Sequence, residues 1–271
     1  MVSDITFGQY YHGNSVLHRA DPRIKLILTF AMIIVIFLCK NFFSLGLLAA
    51  FIILVTLLSK VPVRMILKSI KPVLIILAFT AILNIFYTHG GRTYFEWWKI
   101  AVTEKGVNTA VFTIIRIIIL VVMSSLLTYT TTPTMLTDGL ERILSPLKIF
   151  HIKVSSLAMM MTLALRFIPT LIEEIERIMN AQKARGADLE SGGLITRAKA
   201  LVPIFIPLMV SAFRRAYELA LAMTCRCYTD GNGRTRMKQM KLKITDYVML
   251  ILCIAITAGV IVLNIFFEKV I

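Results

Sequence analysis

Five apolar runs decide what this chain can become. They cover roughly residues 24–39, 43–59, 72–88, 108–129 and 247–267. Crossing a hydrocarbon layer takes roughly 17–25 helical residues, so the first run is near the short limit and the fourth is comfortable. A chain that is 58% hydrophobic and holds several such runs does not match the make-up of a soluble domain. The expected fold is an all-α integral membrane protein with about five transmembrane helices.

Charge orients these spans. The net charge is +15, and in a membrane protein basic loops stay on the cytoplasmic side. His18, Arg19, Arg23 and Lys25 precede the first run. Lys60, Arg64, Lys68 and Lys71 separate the second and third with no acid among them. Both segments are therefore expected inside. The tight turn at Lys40 and Asn41 is expected outside. So is the loop in which Arg92, Lys99 and Lys105 are offset by Glu96 and Glu104 and which carries the interfacial Trp97 and Trp98. After the basic string Arg234, Arg236, Lys238, Lys241 and Lys243, the last run leaves residues 268–271 outside. Three segments result: 1–131 with four spans, a cytoplasmic insertion at 132–245, and a last span at 246–271. The polar start, with Asp4, Tyr10, Tyr11 and His12, does not read as a cleavable signal. Nucleic acid is the other common reason for a basic chain, but no reading motif is present.

The insertion opens with Thr132-Pro133, a helix N-cap followed by a first-turn proline. Leu136, Leu140, Ile143 and Leu144 then make a short amphipathic helix stopped near Pro146. Runs 154–165 and 200–213 are apolar all round but only about a dozen residues long, a length more usual for buried helices than for spans. As spans they would put residues 166–199 outside, against the charge rule. From Ile168 onward, Leu171, Ile172, Ile175, Ile178 and Met179 form one helical stripe, with Glu173, Glu174, Glu176, Arg177 and Asn180 opposite. Pro169 predicts a kink or boundary. Gly186, directly after Arg185, predicts a left-handed cap. A second helical run, containing Pro203 and Pro207, ends at Cys225-Arg226-Cys227. Two helices thus finish on an arginine, which is either a solvated helix-end cation or a contact.

Other chemistry is sparse. Cys39 and Cys253 lie in apolar runs. Cys225 and Cys227 are too few for a closed zinc site, so no metal centre is expected. His12, His18, His89 and His151 are scattered, and the zinc-protease, nucleophile-elbow and phosphate-loop motifs are all missing. No catalytic residue or cofactor is expected, nor ATP binding by this chain. Arg116 lies inside the fourth run, either a functional site or a partner of a neighbouring helix.

Three blocks together resemble a known family: residues 15–25, SVLHRADPRIK; residues 165–169, LRFIP, with 181–186, AQKARG; and the later Arg226. They resemble the T component of energy-coupling factor (ECF) transporters over nearly the whole chain. The resemblance implies a non-catalytic coupling subunit in a prokaryotic plasma membrane, surrounded by lipid and with no nucleic-acid partner. Its two cytoplasmic coupling helices would end in Ala-Arg-Gly motifs that dock on two ABC-type ATPases. Ala184, Arg185 and Gly186 match in full. In the second motif Cys225 and Cys227 flank Arg226 in place of Ala and Gly, which keeps the cation and weakens the expectation of a shared backbone shape. The resemblance also implies a membrane-embedded S component that binds a vitamin, with Met159, Met160, Met161, Leu171, Ile175, Phe205 and Met209 as its contact surface. A methionine-rich surface suits repacking against several partners, and it suits ordinary helix packing equally well. The rival reading is a self-sufficient channel or secondary transporter, which calls for buried acids or broken helices at the midplane. No apolar run holds a carboxylate.

Overall fold

A computed structural model describes residues 10–88, 90, 93–97, 100–150, 153–187, 193–228 and 242–267. The sequence expectations for Asp4, His89, Arg92, Trp98, Lys99, His151, the basic string at 234–241 and residues 268–271 lie outside these residues. The described chain is helical apart from a two-stranded antiparallel hairpin, β1 (Thr93–Trp97) and β2 (Ile100–Thr103).

Each long apolar run forms a helix. These are α2 (Pro22–Leu38), α3 (Phe42–Ser59), α5 (Leu74–Tyr87), α6 (Glu104–Thr130) and α10 (Ile244–Phe266). Shorter elements fill the gaps: α1 (Val16–Arg19), α4 (Val63–Ile70) and α7 (Pro133–Ile143). The insertion contributes α8 (Val154–Ala184) and α9 (Leu194–Cys225). Among the described residues six helical segments are long and apolar enough to cross a membrane: α3, Val63–Tyr87, α6, α8, Lys199–Cys225 and α10. The count differs from about five for two reasons. At 17 residues α2 is marginal. And α8 and α9 run unbroken through Pro169, Pro203 and Pro207, so each joins a short apolar half to a polar one. Pro169 marks no boundary.

Residues Gly8–Ile143 and Met240–Ile271 pack as one unit, and Leu144–Gln239 belong to a second. In the first unit α2, α3, α6 and α10 share a core of Met32, Val35, Ile36, Leu45, Leu48, Phe112 and Val260. Local chemistry starts the helices where the sequence signals them. Asp21 caps α2, accepting from the Arg23 amide at 3.0 Å, with Pro22 in the first turn. Thr132 caps α7 through the Met135 amide at 3.3 Å. α7 lies so close on α2 that a Cβ on Gly139 would come within 3.3 Å of the Pro22 backbone and the Leu26 side chain.

Polar groups stitch both ends of the bundle. At one end the Asp246 carboxylate, 1% exposed, accepts from the Asp21 amide at 3.0 Å and the Lys243 amide at 2.8 Å. Lys25, 7% exposed, sends its ammonium to the Thr130 carbonyl at 3.0 Å and the Thr131 hydroxyl at 3.2 Å, at the end of α6. Its charge also lies within reach of Asp246 and Asp21. The segment before α1 joins the same end. The Tyr11 amide donates to the Tyr129 carbonyl at 3.0 Å, and the His18 Nε2–H donates to the Tyr11 carbonyl at 2.9 Å. Burial holds the His18 imidazole below its ordinary pKa.

At the other end Asn41 donates to the Leu263 and Phe267 carbonyls at 3.1 and 2.9 Å. Asn264 donates to the Leu38 carbonyl at 2.9 Å and accepts from the Lys40 amide at 3.2 Å. Arg116 donates to the Cys39 carbonyl at 2.6 Å and lies over the Phe112 ring, 4.6 Å from its centroid. Its partner is a neighbouring helix, the structural one of the two readings open in the sequence.

These contacts fix directions. α2 and α10 run parallel, start beside start and end beside end, and α6 runs against them. The chain leaves this unit beyond α7 and returns to it at α10 on the same face of the bundle. The insertion therefore begins and ends on one face of this unit.

Removing the Asp246 carboxylate leaves the buried Asp21 amide and the part-buried Lys243 amide without their acceptor and takes a countercharge from the Lys25 ammonium. Leaving a buried donor unsatisfied costs about 1–3 kcal/mol. Asp246→Ala is expected to lower the thermal midpoint of the detergent-solubilised chain far more than Asp246→Asn, whose side-chain oxygen still accepts from an amide. Equal midpoints for Asp246→Ala and the parent chain would count against the buried stitch.

Candidate helix-end docking site

The second unit is built on α8 and α9. They run antiparallel, since Arg215 on α9 meets Glu174 on α8 at 2.7 Å and the Tyr228 hydroxyl reaches the Met159 sulfur. The helices are long because strong helix formers carry them past their prolines. Each proline removes one amide from the helical ladder, a loss the rest of each helix outweighs.

Both helices end in the same backbone figure. At the end of α8, Arg185 has φ −84° and ψ 5° and Gly186 has φ +83°. The Gly186 amide donates to the Lys183 carbonyl at 3.0 Å and the Ala187 amide to the Gln182 carbonyl at 3.0 Å. At the end of α9, Arg226 has φ −92° and ψ 16° and Cys227 has φ +52°. The Cys227 amide donates to the Thr224 carbonyl at 2.9 Å and the Tyr228 amide to the Met223 carbonyl at 3.0 Å. Both are Schellman caps, with a left-handed residue directly after the arginine. Glycine takes this conformation without strain, whereas a side chain costs about 1–2 kcal/mol. Cys227 adopts it nonetheless. The difference between the motifs is one of residue type, not of shape.

Arg185 and Arg226 are exposed, as are Ala184, Gly186, Cys225 and Cys227. Neither arginine side chain has a hydrogen-bond or ion-pair partner among the described residues. The antiparallel register puts them at opposite ends of the hairpin. Arg226 lies level with the early part of α8, near Met159. From there to Arg185 is some seven helical turns, about 39 Å at 1.5 Å per residue.

The apolar surface between the two ends is open. Met160, Met161, Phe205 and Met209 are exposed, while Met159, Leu171 and Ile175 are half-buried. Buried apolar side chains are few here among the described residues: Val154, Ala158 and Ile204. Sequence reasoning missed the exposed Val202, Ile206, Val210, Phe213 and Tyr217, which extend this surface along α9. Their apolar spacing was the available signal. Among the described residues no group of three or more His, Cys, Asp or Glu side chains could hold a metal ion.

The strained cap at Cys227 has a measurable consequence. A Cβ on Gly186 meets nothing within 4 Å, so Gly186→Ala carries backbone strain alone. Gly186→Ala is expected to weaken the last turn of α8 by about 1 kcal/mol, and Cys227→Gly to strengthen the last turn of α9 by a similar amount. Amide hydrogen exchange of the two last turns reads both effects. Faster exchange in Cys227→Gly would contradict the shared cap.

Known proteins match this chain over most of its length. The profile of the CbiQ family, described as cobalt transport protein, matches residues 13–238. The energy-coupling factor transporter transmembrane protein EcfT of Ruminiclostridium cellulolyticum is 50% identical over 246 residues, 91% of this chain and 92% of the relative. The protein of the same name from Clostridium kluyveri is 46% identical over 266 residues, covering 96% and 98%. That from Bacillus subtilis is 44% identical over 240 residues, covering 89% and 91%. With its multi-pass helical fold, the chain belongs to the CbiQ family and, within it, to the transmembrane (T) components of energy-coupling factor transporters.

Proposed function

We propose that this T component is the non-catalytic coupling subunit of its transporter. α8 and α9 lie at the cytoplasmic face, and Arg185 and Arg226 each dock on one of two ATPase subunits. The observation that carries this reading is the pair of matching caps. Two arginines with the same backbone shape, both exposed and about 39 Å apart, suit two equivalent partners side by side. A guanidinium in an acceptor-lined groove makes several charge-assisted hydrogen bonds at once. The open apolar surface between them, rich in Met and Phe, suits a membrane-embedded S component that carries the vitamin. Closure of the ATPases on ATP would move the two helix ends and, through this surface, the S component. The substrate would then be chosen by the S component.

The docking reading also requires that the hairpin not span. The insertion begins and ends on one face of the first unit. If α8 and α9 were its two crossings, Arg185 and Arg226 would lie on opposite sides of the membrane and no pair of cytoplasmic ATPases could hold both. Asn180→Cys, in a background without Cys225 and Cys227, marks the Arg185 end. An impermeant maleimide is expected to leave it unlabelled in intact cells and to label it in inside-out vesicles. Ready labelling in intact cells would mean a spanning hairpin and would end the docking reading.

The arginines themselves give the second test. Truncating a hydrogen-bonded charge buried in an interface costs about 2–5 kcal/mol, whereas a solvated helix-end cation is worth about 0.3–1 kcal/mol. Arg185→Ala and Arg226→Ala are each expected to cut substrate uptake strongly, and the double variant to release the ATPases on pull-down. Arg→Lys is expected to restore uptake only in part, since lysine keeps the charge without the planar fork. Normal uptake and an intact complex in the double variant would reduce both arginines to solvated caps.

A further inference from the structure

α4 sorts its eight residues onto three faces. Ile66 is buried against Val61, Leu126 and Tyr129. The Tyr129 hydroxyl meets the Ser69 hydroxyl and donates to the Met65 carbonyl at 3.2 Å. This face fixes α4 to the end of α6, at the same end of the bundle as Lys25 and Asp246. A second face carries Val63 and Leu67, 59% and 60% exposed, and leads into the exposed apolar start of α5 at Leu74 and Ile75. The third face is basic. Arg64, Lys68 and Lys71 recur at i, i+4 and i+7, all exposed.

No carboxylate answers these cations. The sequence holds no Asp or Glu between Asp21 and Glu96. α6, on which α4 packs, has its sole acid, Glu104, in its first turn at the opposite end. Among the described residues none of the three basic side chains has an ion-pair partner. An exposed apolar stripe beside an unneutralised basic stripe, on a short helix held against the end of a transmembrane bundle, matches the boundary between acyl chains and anionic headgroups.

We propose that α4 and the turn after it form a binding site for anionic phospholipid. Arg64, Lys68 and Lys71 hold the headgroup phosphates, and Val63 and Leu67 lie against the upper acyl chains. The site is separate from the helix-end arginines and does not depend on their docking role. Its occupant is a lipid rather than a free anion, because the cations share their helix with an exposed apolar face that a soluble phosphate would leave in water.

The test uses the full-length chain in detergent, titrated with phosphatidylglycerol or phosphatidylcholine and read by native mass spectrometry. The parent chain is expected to prefer phosphatidylglycerol. Each cation near an anionic surface contributes about fivefold in affinity, so Arg64→Gln/Lys68→Gln/Lys71→Gln should lose about a hundredfold and Lys68→Gln alone about fivefold. The charge-keeping triple Arg64→Lys/Lys68→Arg/Lys71→Arg should bind like the parent. A second measurement leaves the cations intact: Leu67→Trp should be quenched more by brominated phosphatidylglycerol than by brominated phosphatidylcholine. Equal affinity for the two lipids in the parent chain, unchanged phosphatidylglycerol binding in the glutamine triple, or equal quenching of Leu67→Trp would each overturn the proposal. Displacement of phosphatidylglycerol by millimolar inorganic phosphate would overturn it in favour of a free-anion site.

Discussion

The buried meeting of Asp21, Lys25 and Asp246 sets the geometry of the membrane unit. An ammonium and two carboxylates out of water are costly unless each finds partners. Here the partners are backbone groups at helix ends. Asp246 takes the amides of Asp21 and Lys243, and Lys25 takes the last carbonyl of α6. Helix ends carry unsatisfied amides and carbonyls, so each charge meets a need that the helices themselves create. The arrangement holds only if α2 and α10 start on the same face and α6 ends there. That constraint makes the insertion leave and return on one side.

The caps of α8 and α9 show a different economy. Gly186 reaches the left-handed region freely, and Cys227 reaches it under strain. A shape held against strain is kept by the bonds around it, here the Cys227 and Tyr228 amides on the carbonyls of the preceding turn. The strain sits beside Arg226 and not elsewhere in the helix, so the backbone that presents the arginine is itself under constraint.

Much of this was legible in the sequence, and the pattern of success is physical. The five apolar runs became helices because run length and composition are local properties. Pro22, Thr132 and Gly186 act at caps because capping involves residues within one turn of each other. What the sequence hid was long-range or unsignalled. Lys25 reads as one more cytoplasmic cation, but it is buried, and its carboxylate neighbour Asp246 lies more than two hundred residues away. Arg116 could have faced water or a neighbour, and only the fold supplies the Cys39 carbonyl. Cysteine carries no turn propensity, so nothing marked Cys227 as left-handed. The antiparallel register that separates the two arginines rests on pairs such as Glu174 and Arg215, which no local pattern links.

Length and polarity together decide how α8 and α9 can meet a membrane. At 31 and 32 residues they are longer than a hydrocarbon core requires. Their apolar halves are too short to cross it alone. Extending α8 to a full span draws Arg166 inside, and extending it further draws in Glu173 and Glu174. Extending α9 draws in Arg214 and Arg215. Charges at the centre of a bilayer are expensive unless paired, and a hairpin whose spans extended as far as Glu174 and Arg215 would have to bury that pair. That pair is partly exposed to solvent, with side chains 22% and 34% accessible. A hairpin lying along the membrane surface leaves those charges wet, sets its apolar faces against lipid or another membrane protein, and keeps both arginine caps on one side. On the docking reading proposed above, such a placement would accommodate the proline-bridged length, the half-apolar composition and the paired caps together.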